Sequence, residues 1–196
     1  MTTDKSKLIK DIKCIPSPVF YIFAAVALFS AFFVLGFSLK SVLIAIFLLG
    51  LVACAASDIN KGIVPDLIVI LIAATGVINT VFDRSDLPGH LLGIVIVSVP
   101  MLLISLMVKG AFGGGDIKLM AAAGLFLGWK YTLLGAFAGM FISGFYGMYL
   151  LLTKKAGASA KLKLVPFLAF GLGAASLFGD MILFIFGFMR GMPISR

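Results

Sequence analysis

Asp58 and Asp116 are the residues of this sequence best placed to do chemistry, because each stands at the edge of an apolar run rather than out in a polar loop. Ionising a carboxylate there costs free energy, about 2.5–3.5 kcal/mol at the membrane centre and less near the interface, so such a residue is a candidate for function. Two carboxylates brought together suggest one chemistry above others. Like charges at close range do not both ionise cheaply, so the pair holds one proton between them. The ionised member then deprotonates a water while the protonated member polarises a carbonyl. That is amide hydrolysis with neither a covalent intermediate nor a metal. The rest of the inventory offers little competition. All eight acidic residues are Asp, the one histidine is His90, and Cys14 and Cys54 are too few and too far apart for a zinc site or a disulfide framework. No metal and no cofactor is expected.

The surroundings of the pair add to this reading. Gly113, Gly114 and Gly115 directly precede Asp116. A glycine run permits backbone conformations closed to other residues and leaves the main chain bare, so an extended substrate has room to approach beside the carboxylate. Lys118 is a candidate substrate contact or a neighbour that tunes Asp116, with snorkelling to the interface as the plainer alternative. Asp66, after Pro65, fits the start of a helix. Asp180 lies inside the last apolar segment and is expected away from the pair.

The elements that must position these residues are membrane helices. Of 196 residues, 62% are hydrophobic and 12% charged, with a mean hydropathy of +1.20. Soluble domains have roughly 45–50% apolar and about 25% charged residues, so water is the wrong solvent for this surface. Seven apolar segments stand out: Pro18–Phe37, Val42–Ser57, Ile63–Phe82, Leu91–Val108, Ile117–Trp129, Tyr131–Leu152 and Pro166–Met189. With about 20 residues needed to span, the fifth is short and is expected to be tilted or irregular. Gly36, Gly139, Gly144 and Gly147 are expected to allow close helix packing. The fold class is all-α, a polytopic membrane helix bundle. Residues 1–17 form a basic cytoplasmic N-terminus, 18–189 a single membrane domain and 190–196 a short tail.

The formal charge of +8 does not point to nucleic acid, because the basic residues lie in short connections between apolar segments and not along one polar face. They fit topology signals and contacts with anionic lipid. With the N-terminus inside, the inner connections hold Lys5, Lys7, Lys10, Lys13, Lys61, Lys109, Lys118, Lys154, Lys155, Lys161 and Lys163, while the outer ones hold only Lys40, Arg84, Lys130, Arg190 and Arg196. Seven spans with the N-terminus in and the C-terminus out follow from this bias. The same parity puts Asp58 and Asp116 on one side, towards the cytoplasm, and His90 on the other.

In its motifs the sequence resembles the prepilin peptidases, the type IV leader peptidases with a Gly-x-Gly-Asp motif. The resemblance rests on Gly113-Gly114-Gly115-Asp116-Ile117-Lys118-Leu119, on Asp58 followed by Ile63-Val64-Pro65-Asp66, and on Val165-Pro166-Phe167-Leu168-Ala169-Phe170-Gly171. It implies that Asp58 and Asp116 are the catalytic pair of an aspartic endopeptidase of the cytoplasmic membrane. The substrate it implies is a type IV prepilin or pseudopilin, cut between a short basic leader and its hydrophobic helix. Larger members carry an insertion with two Cys-x-x-Cys pairs, associated with N-methylation. The two cysteines of this chain form no such pair, so a short form without methyltransferase activity is expected. The presenilin type shares Gly-x-Gly-Asp, but here Ser57 precedes Asp58 and Phe167 follows Pro166, which departs from its other motifs. A different class, a proton- or cation-coupled transporter, would also use Asp58 and Asp116, but no internal repeat supports it.

Overall fold

The computed structural model describes residues 18–36, 38–82, 86–108, 110–153 and 163–185. Among these residues the chain forms seven helices: α1 (Pro18–Leu35), α2 (Leu39–Lys61), α3 (Asp66–Phe82), α4 (Leu87–Met107), α5 (Gly114–Leu127), α6 (Trp129–Leu152) and α7 (Val165–Ile185). Each apolar segment of the sequence corresponds to one helix. The expected basic N-terminus, the C-terminal tail and residues 154–162 lie outside the described residues.

Helices α2, α4, α6 and α7 are long and apolar enough to cross a membrane. Their outer faces carry bulky apolar side chains such as Phe137, Phe141, Leu106 and Phe184 in exposed positions, which water would penalise and lipid accepts. The molecule is therefore a polytopic helical membrane bundle. Local chemistry sets the helix ends. The Ser38 hydroxyl oxygen accepts from the Lys40 N–H at the start of α2, and Gly62 ends that helix in a left-handed conformation, φ 65°, donating its N–H to Asp58 O. Asp86 caps α4 by accepting from the Gly89 N–H.

The interior is organised around α2 and α5. Helix α2 packs against α1, α3 and α7, and α5 packs between α3 and α4. On α2 the buried stripe runs Phe47, Leu51, Cys54 and Asp58, at spacings of four, three and four, so Asp58 tops the face turned inward. On α5 the inward residues are Leu119, Met120, Ala123 and Phe126, and Asp116 lies one turn before Met120. The Phe47 and Phe126 rings stack at 4.4 Å between centroids, joining the two stripes.

With 14 residues, α5 is as short as the sequence suggested, and its far end sits inside protein. Side chains of α3 and α4 satisfy the carbonyls left over there. Asn79 Nδ2 donates to Phe126 O at 3.0 Å, the Thr80 hydroxyl reaches Leu125 O, and His90 Nδ1 lies 2.9 Å from the same oxygen, which fixes the proton on that nitrogen. A Cβ on Gly93 would stand 2.3 Å from Gly124 O, so α4 and α5 touch backbone to backbone. A short helix can end at this depth because its neighbours supply the donors. Gly139 meets Leu168 on α7 in the same close manner, whereas Gly144 faces open space and Gly36 serves a turn, φ 69°.

Candidate active site

Both aspartates belong to helices, not to the connections the sequence suggested. Asp58 lies in the last turn of α2 and Asp116 in the first turn of α5. The boundaries shift because each helix is extended by small or polar residues that add no hydropathy, Asp58 to Lys61 in one case and Gly114 to Asp116 in the other.

The turn after Asp58 is braced at several points. The Ser57 hydroxyl donates to Ile63 O at 2.8 Å, and the Gly62 cap folds the chain back. Ile63-Val64-Pro65 then runs without regular structure to Asp66, which opens α3. Asp58 itself is only 7% exposed. Its carboxylate accepts a hydrogen bond from the Val165 N–H, at the first residue of α7, and has the Lys163 ammonium within electrostatic range. Lys163 Nζ also donates to Ile59 O. Asp58 Oδ2 is buried with no hydrogen-bond partner among the described residues. An unsatisfied buried acceptor costs about 1–3 kcal/mol, more when charged, which calls for a functional explanation.

Asp116 folds back on its own helix start. The Gly113 N–H donates to Asp116 Oδ2 at 3.2 Å, and the Asp116 N–H donates to Gly113 O at 3.1 Å. The Asp58 charge acts electrostatically on Asp116, so the structure brings the two carboxylates into one neighbourhood where α2, α5 and the start of α7 meet.

The glycine run works differently from the expectation. None of its three residues uses a left-handed backbone: among the described residues the glycines with positive φ are Gly36, Gly62, Gly110 and Gly128. Gly115 is needed for packing, since a Cβ there would lie 2.8 Å from Val64 Cβ. Gly114 has nothing within 4 Å of where its Cβ would be, and both it and Gly113 are exposed. The bare main chain expected beside the carboxylate is therefore present at Gly113 and Gly114, while Gly115 holds α5 against the turn after Asp58.

The remaining candidates fall away from the pair. Lys118 Nζ forms an ion pair with Asp66 Oδ1 at 2.8 Å and leaves the helix on another side from Asp116. Asp180 accepts from the Tyr131 hydroxyl, at the other end of the bundle. His90 bonds near the C-terminus of α5, nine residues or about 13 Å along the helix from Asp116. Sequence reasoning missed Val165 and Lys163 as neighbours of Asp58. The Val-Pro at 165–166 carried the signal, since proline favours the first turn of a helix and so marks free N–H groups.

A buried Asp58 and a half-buried Asp116 at one end of a helical membrane bundle define a class, the membrane proteins that use acidic side chains in or at the bilayer. The family model for the type IV leader peptidase family matches residues 45–148, which hold both aspartates, and the chain belongs to that family. It is 31% identical over 153 residues, 76% of its own length, to the "Prepilin leader peptidase/N-methyltransferase" of Bacillus subtilis (strain 168). The chain spans 60% of that relative. No solved structure matches it.

Proposed function

We propose that this protein is a membrane aspartic endopeptidase that removes the basic leader from type IV prepilins or pseudopilins at the cytoplasmic face. The reading is supported by Asp58 and Asp116 lying at the facing ends of α2 and α5, which the packing of Gly115 against Val64 holds near each other, with Asp58 Oδ2 unclaimed by any described protein donor. That oxygen is the atom free to share a proton with its partner or to accept one from an attacking water.

In the reaction, the ionised carboxylate takes a proton from water as its oxygen adds to the scissile carbonyl carbon. The protonated carboxylate donates to the carbonyl oxygen. The tetrahedral diol collapses as the newly protonated carboxylate delivers its proton to the departing amine nitrogen and the other takes a proton from a diol hydroxyl, so the C–N bond breaks and the pair again holds a single proton. The Val165 N–H and the Lys163 ammonium stabilise negative charge on Asp58, and Gly113 and Gly114 leave space for an extended substrate backbone. Asp58 and Asp116 are the catalytic residues in this account, no metal or cofactor takes part, and the partners are the precursor protein and lipid. The proposal covers the peptidase step and assigns no methyl transfer to these residues.

Coexpression with a prepilin, followed by mass spectrometry of its N-terminus, tests the proposal. The expected product begins at the junction of leader and hydrophobic helix and carries an unmethylated amine. An uncut precursor beside well-folded, membrane-inserted enzyme would overturn it.

A further inference from the structure

The catalytic pair is brought together by elements far apart in sequence, so something must fix how closely they approach. Two contacts join the Asp58 side to the Asp116 side at the surface of the site. One is the packing of Gly115 against Val64, where a Cβ would come within 2.8 Å of Val64 Cβ. The other is the Lys118–Asp66 ion pair at 2.8 Å, formed across 52 positions. Both partners of the second contact are tied to the catalytic residues. Asp66 opens α3 directly after the turn that Gly62 and the Ser57–Ile63 hydrogen bond hold against Asp58. Lys118 follows Asp116 by two residues on α5. Residues two apart on a helix are separated by about 200° around the axis, so they leave it on nearly opposite faces. Lys118 therefore does not share the pocket of Asp116, and its charge is engaged by Asp66.

We propose that Asp66 and Lys118 are positioning residues, an ionic latch that pivots on the Val64–Gly115 contact and sets the separation of the Asp58 and Asp116 carboxylates. The inference rests on the peptidase reading of that pair and adds two residues to it. Their side chains are 67% and 60% exposed, and an exposed pair contributes little to global stability. Its effect is on geometry, and a misplacement of about 1 Å at reacting groups can lower a rate by about a hundredfold.

The test is a charge swap in the full-length protein in lipid nanodiscs, with prepilin cleavage, thermal unfolding and a distance read together. Asp66→Asn and Lys118→Met are expected to lower kcat about tenfold with KM within about twofold, as for residues that do not touch substrate. The melting temperature should stay unchanged. The double variant Asp66→Lys with Lys118→Asp is expected to recover most of kcat. Spin labels at Lys61→Cys and Ala111→Cys, in a Cys14→Ser/Cys54→Ser background, supply a readout independent of cleavage. The distance distribution should broaden in each single variant and narrow again in the swap. Wild-type kcat in the single variants, a swap that restores nothing, or an effect confined to KM would each overturn the latch, the last by making Lys118 a substrate contact. Cleavage by Asp58→Asn would instead remove the peptidase reading while leaving the distance result to stand or fall on its own.

Discussion

Replacing Gly115 with alanine adds one carbon where the structure has least room for it. The new Cβ would stand 2.8 Å from Val64 Cβ and 3.0 Å from Val64 Cγ2, whereas carbon pairs rest at about 3.5–4.0 Å. Relief requires a displacement approaching 1 Å between the first turn of α5 and the turn that follows Asp58. Overpacking of this kind costs about 1–3 kcal/mol, and alanine returns up to about 1 kcal/mol by its higher helix propensity. The net loss of stability is therefore small, about 0–2 kcal/mol. The rate should suffer more, because Asp116 is the next residue and moves with the helix start. A shift of about 1 Å corresponds to a loss of about a hundredfold in kcat. Purified variants in nanodiscs, assayed for prepilin cleavage and for thermal unfolding, separate the two effects. Gly114→Ala is the internal control, since its Cβ would meet nothing within 4 Å. It should fold as well as the wild type and impair cleavage only through contact with substrate. A Gly115→Ala enzyme with wild-type kcat and melting temperature would refute the packing argument.

Three further outcomes follow from particular contacts. Val165→Pro removes the N–H that Asp58 accepts at a first-helical position where proline is tolerated; kcat should fall about tenfold, the worth of about 1.4 kcal/mol, with folding retained in a thermal melt. Asn79→Leu strips Phe126 O of its donor and should lower stability by about 1 kcal/mol in a denaturation assay, with kcat changed little because the site is at the other end of α5. Asp180→Asn, which alters the acceptor of the Tyr131 hydroxyl far from the pair, should cleave prepilin at the wild-type rate.

Much of the architecture could be read from the sequence because lipid imposes a simple rule. An apolar run in lipid becomes a helix, and all seven runs did, the short fifth one included. The shortness of α5 was equally legible, since Ile117 to Trp129 offers few residues between glycines. What was not legible is why a short helix is tolerated. The answer is tertiary, in Asn79, Thr80 and His90 reaching the last carbonyls of α5 from two other helices. The aspartates were visible as carboxylates bordering apolar segments, but their helical setting was hidden by a hydropathy criterion that discounts Gly114, Gly115 and the polar end of α2. A three-and-four spacing back from Asp58 through Cys54, Leu51 and Phe47 would have placed it on the buried face. The glycine run was recognised, but its three members have separate tasks that depend on what lies opposite, Val64 for Gly115 and open space for Gly114. Lys118 was legible only as a charge near the site, because its partner Asp66 is 52 positions away.

The most direct test of the account is single-turnover cleavage of a purified prepilin by Asp58→Asn and Asp116→Asn enzymes reconstituted in lipid. Asparagine preserves size and shape but can neither hold the shared proton nor accept one from water. Each variant should bind the precursor and melt near the wild-type temperature, with cleavage reduced at least about a thousandfold, as expected when an acid–base partner is lost. Cleavage at the wild-type rate by either variant would contradict the account.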